Sequence, residues 1–165
     1  MNSRIQKLFN AADSRYLNAE EQTVILEYAA SLQARFRTAA AVEAKEQAAV
    51  KYCIDEMRKR YPNFDKFHEQ AWGKAFRDVQ LTVRYCVQAM LLDDVGVLDD
   101  KLLVWLKTIL ASFNFTPQFN RDTYMLLKDG FRRLLPPEDF RMMEPYLNRN
   151  IETLSDFPEP AVPAV

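Results

Sequence analysis

The stretch AFRDVQLTVRYCVQAMLLDDVGVLDD, residues 75–100, decides the fold. Phe76, Val79, Val83, Cys86 and Met90 recur at three- and four-residue spacing, and Trp72 extends the same face toward the N-terminus. That period predicts a helix over about Ala71 to Leu92 with one face in a core. Asp93, Asp94 and Gly96 break it, and two of Asp93, Asp94, Asp99 and Asp100 are placed to cap the helix that follows, expected over Leu98 to Phe113. A calcium loop is excluded, because the spacing of Asp93, Asp94, Asp99 and Asp100 does not match the ligand pattern of such a loop.

The rest of the chain repeats this grammar. Glycine occurs only 3 times, and strand-like alternation is absent, so helices are expected throughout. Upstream, Ile5, Leu8, Phe9, Ala12 and Tyr16 predict a first helix that stops near Asn18, which caps the next helix with Glu21 in the capping-box position. A second helix follows on Ile25, Tyr28, Leu32 and Phe36. A third runs from about Ala41 to Arg60 and ends at Tyr61-Pro62. Downstream, Leu102, Leu106, Ile109 and Phe113 point inward from another helix. Thr116-Pro117 starts the next, and Pro136-Pro137 separates it from a last helix on Phe140, Met143, Leu147, Ile151 and Leu154. Seven or so helices of unequal length argue for a globin-like, all-α arrangement over residues 1–155. Residues 156–165, with Pro158, Pro160 and Pro163, read as a frayed tail or a short docking peptide.

At 165 residues the chain can bury one sizeable core without metal or disulfide. A net charge of -1 gives no sequence-wide pull toward nucleic acid or anionic lipid. Arg58-Lys59-Arg60 is better read as a solvated helix end than as a nucleic-acid patch. Cys53 and Cys86 sit in apolar helical patterns and are expected as small buried hydrophobes in a reducing cytoplasm. No run is long enough for a membrane span and no signal peptide opens the chain, so a cytoplasmic protein is expected. The single histidine, His68, has polar neighbours and is expected at the surface, not on haem iron. Zinc spacing, phosphate loops and dinucleotide fingerprints are absent, and nothing singles out a catalytic pair, so no enzyme is expected.

One polar feature remains. Lys74, Arg77 and Arg84 fall within roughly 80° of one another on the Ala71–Leu92 helix, with Asp78 beside them. Such a stripe suits a ligand carrying both carboxylates and N–H donors, since arginine grips the former and aspartate accepts from the latter. Exposed Arg-Asp neighbours are usually solvated surface, and both readings stay open at this point.

The same segment resembles the phycobiliproteins, the light-harvesting bilin proteins of cyanobacteria and red algae, and is most similar to allophycocyanin α-type subunits. The family stretch reads Cys-Leu-Arg-Asp, then Leu-Arg, then Gly-Asp and an acidic helix start. The opening FNAADSRYLNAEEQ and the Thr116-Pro117 turn are similar as well, so the likeness covers about residues 3–155. It implies a phycocyanin-like globin core preceded by two extra N-terminal helices that form a subunit interface. Where the family has its bilin-attachment cysteine this chain has Ala75, which excludes covalent attachment there. Arg77 and Asp78 match family residues that contact a bilin propionate and the inner pyrrole nitrogens, while a preceding pair of family arginines is Gln70 and Ala71 here.

The likeness also assigns an interface. Arg84 matches an arginine that pairs with a partner's aspartate, and Arg15-Tyr16 match the tyrosine-bearing interface helix. The aspartate itself is Ala11, with Asp13 two residues on as the nearest stand-in. The resemblance thus implies a chromophore-free relative that binds, regulates or assembles phycobilisomes, with phycobiliprotein subunits or a second copy as partners. The alternative is a light-harvesting or sensory protein holding a bilin non-covalently through Arg77, Asp78 and Lys74. An enzyme of bilin handling is a third class, which only these pocket remnants support. Attachment to phycobilisomes would place the chain at the cytoplasmic face of thylakoids.

Overall fold

A computed structural model describes residues 2–164, and every regular element among them is helical. In chain order these are α1 (Ser3–Ala11), α2 (Ala19–Arg60), a single 3-10 turn (Phe64–Lys66), α3 (Ala71–Leu92) and α4 (Val95–Leu98). A wide π turn (Asp99–Leu103) leads into α5 (Val104–Ser112), followed by α6 (Pro117–Leu134) and α7 (Pro137–Leu154). The boundaries follow local chemistry. Asn18 and Glu21 form the reciprocal capping box expected of them. The Thr116 side chain accepts from the Phe119 N–H with Pro117 in the first turn, and the Asp94 side chain accepts from Gly96 at the start of α4.

Three expectations are corrected. The second and third predicted helices are one continuous helix of 42 residues. Thr38-Ala39-Ala40-Ala41-Val42 holds no glycine or proline, and alanine is the strongest helix former, so nothing local stops it. The first helix ends at Ala11 and does not reach Tyr16, because Ser14 turns the chain with a positive φ of 61°. The N-terminal half of α2 presents Arg35 and Thr38 inward, while Phe36 is 62% exposed.

Arg35 explains that rotation. It donates to the Leu91 carbonyl at 3.0 Å, pairs with Asp93 at 3.3 Å, contacts Ser31 and stacks over the Tyr28 ring at 4.5 Å. A guanidinium this buried persists only with such a set of partners. The same corner of the body holds the N-terminus. The Asn2 amide donates to the Leu92 and Asp93 carbonyls, both at 2.8 Å, and the Ser3 N–H donates to Asp94 at 2.7 Å.

The core lies where α2, α3, α6 and α7 cross, around fully buried Met57, Met90, Leu127, Phe131, Met143 and Leu147. Gly130 lets α6 approach α2 closely, since a Cβ there would lie 3.1 Å from the Ala49 carbonyl oxygen. Both cysteines are buried as expected. In the tail, Asp156 pairs with Lys107 of α5 at 2.8 Å, and the Ala164 N–H donates to the Asn114 carbonyl just after α5 at 2.9 Å. Among the described residues no helix is long and apolar enough to cross a membrane.

Candidate functional site

The C-terminal part of α2, the Phe64 turn, α3, α5 and α6 surround an open cavity of about 680 Å³. Its wall is aromatic. Phe64 packs edge-on against Trp72 at 4.6 Å between centroids and lies tilted against Phe119 at 4.9 Å. Phe115 lies 5.1 Å from Phe119 and 5.2 Å from Phe67. The rings pack on one another and leave the space beside them open.

This cavity corrects the expectation that Ile109 and Phe113 point into a core. They are 39% and 43% exposed, and they line the cavity together with Trp105. A cavity wall and a core face carry the same apolar period, so spacing alone cannot separate them. Trp105 donates its indole N–H to the Lys101 carbonyl at 2.9 Å, which settles its polar end at the rim.

Ala75 is half-buried on α3 and lines the cavity, and Lys74, Arg77 and Asp78 stand with it. The sequence-predicted trio is therefore assembled at one opening. The stripe is nonetheless divided. Arg77 lies against its neighbour Asp78, with Nε at 3.2 Å and Nη2 at 3.1 Å from one carboxylate oxygen. Arg84 is drawn to α2, where it grips Glu46 with two bonds of 2.9 and 3.3 Å. It lies about 10 Å along the helix from Arg77 by the rise per residue. Arg84 thus takes no part in the cavity and has an acidic partner within its own chain.

His68 is at the surface as expected, and also lines the cavity mouth. Its Nδ1 accepts from the Gln70 N–H at 2.9 Å, and its Nε2 lies 3.1 Å from Lys74 Nζ. A neutral imidazole offers one lone pair for hydrogen bonding and both neighbours are donors, so only one of these contacts is satisfied at a time. The Lys74 ammonium is therefore loosely held and available to an anion at the mouth.

Neither thiol belongs to the wall. Cys53 donates to the Thr123 carbonyl at 3.2 Å, and burial pushes its pKa up to about 12. Cys86 accepts from the Asn150 amide at 3.0 Å. Burial raises its pKa to about 12 despite that hydrogen bond. A nucleophilic thiol needs the thiolate, which these environments suppress. Arg58, from the basic helix end, sits over the Trp72 ring at 5.5 Å, while Lys59 turns to Glu56 and Arg60 to Asp122 at 3.4 Å. The triplet is the partnered, solvated helix end expected of it.

The cavity also contains a residue that sequence reasoning passed over. Asn120 on α6 is 2% exposed and lines the wall, and its Nδ2 has no hydrogen-bond partner among the described residues. Its signal was a lone amide on the apolar face shared by Phe119 and Thr123. The remaining predicted interface residues cluster elsewhere. Arg15 grips Glu21 at 2.9 and 2.8 Å, and that contact, followed by the Asn18 N–H, lowers the Glu21 carboxyl to about 2. Asp13 is exposed and accepts from Ser14 at 3.3 Å, and Tyr16 is 97% exposed.

Fold and site together define an all-α, globin-like protein with an open aromatic cavity and basic residues at its mouth. The phycobilisome protein family matches residues 7–154, and the chain belongs to that family. The allophycocyanin beta chain of Synechococcus sp. is 26% identical over 157 residues, covering 90% of this chain and 96% of the relative. The allophycocyanin beta chain of Cyanophora paradoxa is 26% identical over 155 residues, covering 88% and 94%. Both relatives are β chains, so they do not carry the α-type likeness drawn from the sequence. What they support is the family and its phycobilisome context.

Proposed function

We propose that this chain is a phycobilisome-associated binding protein, not an enzyme, that carries no covalent chromophore and acts in regulation or assembly. The observation that carries this reading is the cavity wall itself. Ala75 stands where the resemblance puts the attachment cysteine, and both thiols are buried in packed helices outside the wall. Partners are phycobiliprotein subunits or a second copy, which would hold the chain at phycobilisomes on the cytoplasmic face of thylakoids. The contact surface is the exposed N-terminal hook with Asp13, Arg15 and Tyr16, together with Arg84, whose bond to Glu46 must open or be shared on pairing.

The test is capture from a cyanobacterial lysate on the immobilised chain. Retention of phycobiliprotein subunits is expected, with weaker retention by Tyr16→Ala and Arg84→Glu. Equal recovery by all three forms would contradict the interface, and recovery of no phycobiliprotein would contradict the role.

A second reading is favoured by the open cavity. Its volume lies in the range of small-molecule pockets, and its mouth carries Lys74 and Arg77 for carboxylates and Asp78 for N–H donors. These residues fit a free bilin, with propionates on the cations and pyrrole N–H groups on the carboxylate. Such a ligand would supply visible absorption. Expression with a bilin supply separates the readings. Colourless protein after gel filtration removes the second, and a stoichiometric band that is lost on denaturation replaces the first by it.

A further inference from the structure

We propose that the proline-rich tail is a strap that closes the aromatic cavity of its own chain, so that entry depends on whether the tail is held back on α5. This regulation lies beyond the binding roles above and does not require that a bilin enter the cavity.

The tail is tethered to α5 and to the turn after it. Asp156, whose side chain is 81% exposed, pairs with Lys107, and the Ala164 N–H donates to the Asn114 carbonyl. By the rise per residue, Lys107 and Asn114 lie about 10 Å apart along the helix axis. The chain from Asp156 to Ala164 would span about 25 Å as polyproline-type backbone. Much of that length is slack, and bends at Phe157 and at Ala161-Val162 take it up. The Ala164 tether sits at the edge of the cavity, because Asn114 separates Phe113 from Phe115 and both rings line the wall. Lys107, by contrast, stands about 160° around α5 from the cavity-lining Trp105 and Ile109. An exposed ion pair of this kind holds weakly. Once it opens, the slack carries the tail across α5, a helix about 10 Å wide, with Ala164 still on Asn114.

The tail also matches the wall it would cover. Val162 is 76% exposed, and Phe67, Trp105 and Phe113 on the cavity side are 43%, 42% and 43% exposed, so both surfaces leave apolar area in water. Proline-rich segments dock in aromatic-lined grooves. Pro158, Pro160 and Pro163 bring no N–H donors that would be buried unpaired against the rings. Charge agrees as well, since the tail carries Asp156 and Glu159 and no cation, while the mouth holds Lys74 and Arg77. A short tether within one chain supplies an effective concentration of about millimolar, which favours the chain's own cavity over that of a second copy.

The test uses N-phenyl-1-naphthylamine, a neutral apolar probe that brightens in apolar sites. It is titrated into wild type, a form truncated after Leu154, Val162→Asn and Glu159→Lys, with melting temperatures recorded alongside. Val162 and Glu159 are exposed while the tail is held back, so neither substitution should lower the melting temperature. All the variants are expected to bind the probe about two- to tenfold more tightly than wild type, the ratio for a strap that covers the cavity from about half to about nine-tenths of the time. Equal affinity in every form overturns the strap, and so does a failure of every form to bind. Tighter binding by the truncated form alone, with both substitutions matching wild type, also overturns it, since the tail would then act by bracing α5. A wild-type affinity that falls as protein concentration rises would place the tail in a second copy's cavity and overturn the closure within one chain.

Discussion

Gly130→Ala places one methyl group where α6 crosses α2. The new Cβ would lie 3.1 Å from the Ala49 carbonyl oxygen, 3.1 Å from Tyr52 Cδ1 and 3.4 Å from Ala49 Cα. Neither neighbour can withdraw cheaply. The carbonyl belongs to the α2 backbone. The Tyr52 ring is held by its hydroxyl on Asp129 at 2.8 Å and by the Arg133 guanidinium 4.9 Å above it. Helix propensity favours alanine by about 0.8–1 kcal/mol, while overpacking a close crossing costs about 1–3 kcal/mol. The net loss is about 1 kcal/mol, which for a chain of this size lowers Tm by about 2–4 °C. Gly73→Ala is the control, because a Cβ at Gly73 meets nothing within 4 Å. It should raise Tm or leave it unchanged. Thermal unfolding followed by far-ultraviolet circular dichroism measures both. A Gly130→Ala form that melts at or above wild type would refute the claim that the crossing is sterically closed.

Further outcomes are expected. Burial that raises Cys53 and Cys86 to about 12 leaves both thiols unreactive in the native state at pH 8. Iodoacetamide should add no mass until urea is present and both sites react, whereas fast native labelling would contradict their placement. The Glu21 carboxyl is lowered from 4.5 to about 2 by Arg15 and then by the Asn18 N–H. The sign follows from that direction: its contribution is complete above the unfolded value near 4.5 and is lost as pH falls toward 2. Protease cleavage in the 12–18 hook should therefore rise over that window in wild type, and Glu21→Gln should cleave readily at neutral pH. An unchanged cleavage pattern between pH 5 and 2 would count against the hook. Truncation after Leu154 removes the Asp156–Lys107 pair and the Ala164–Asn114 bond. Amide exchange should then quicken at the α5–α6 turn, and unchanged exchange would mean that the tail holds nothing.

Helix ends were legible because single residues carry their chemistry. Asn18 with Glu21 and Thr116 with Pro117 each cap what their spacing predicts. The continuity of α2 was not, since Phe36 and Ile25 suggest one apolar face while the body selects the face bearing Arg35, whose partners on the α3–α4 corner lie far away in sequence. The cavity was only half legible. Lys74, Arg77 and Asp78 could be grouped from their helical positions, but Arg84 shares their angle and is claimed by Glu46 across the helix pair. Ile109 and Phe113 carry the period of core residues and line open space instead. Asn120 gave a faint signal, because an isolated amide in an apolar period is ordinarily satisfied inside the fold.

Intact-mass spectrometry tests most directly whether any side chain of this protein anchors a bilin covalently. The protein is expressed with a bilin supply and denatured before weighing. A single species at the 19.3 kDa of the unmodified polypeptide is predicted. A stoichiometric adduct of one tetrapyrrole, on Cys53, Cys86 or any other side chain, would contradict it.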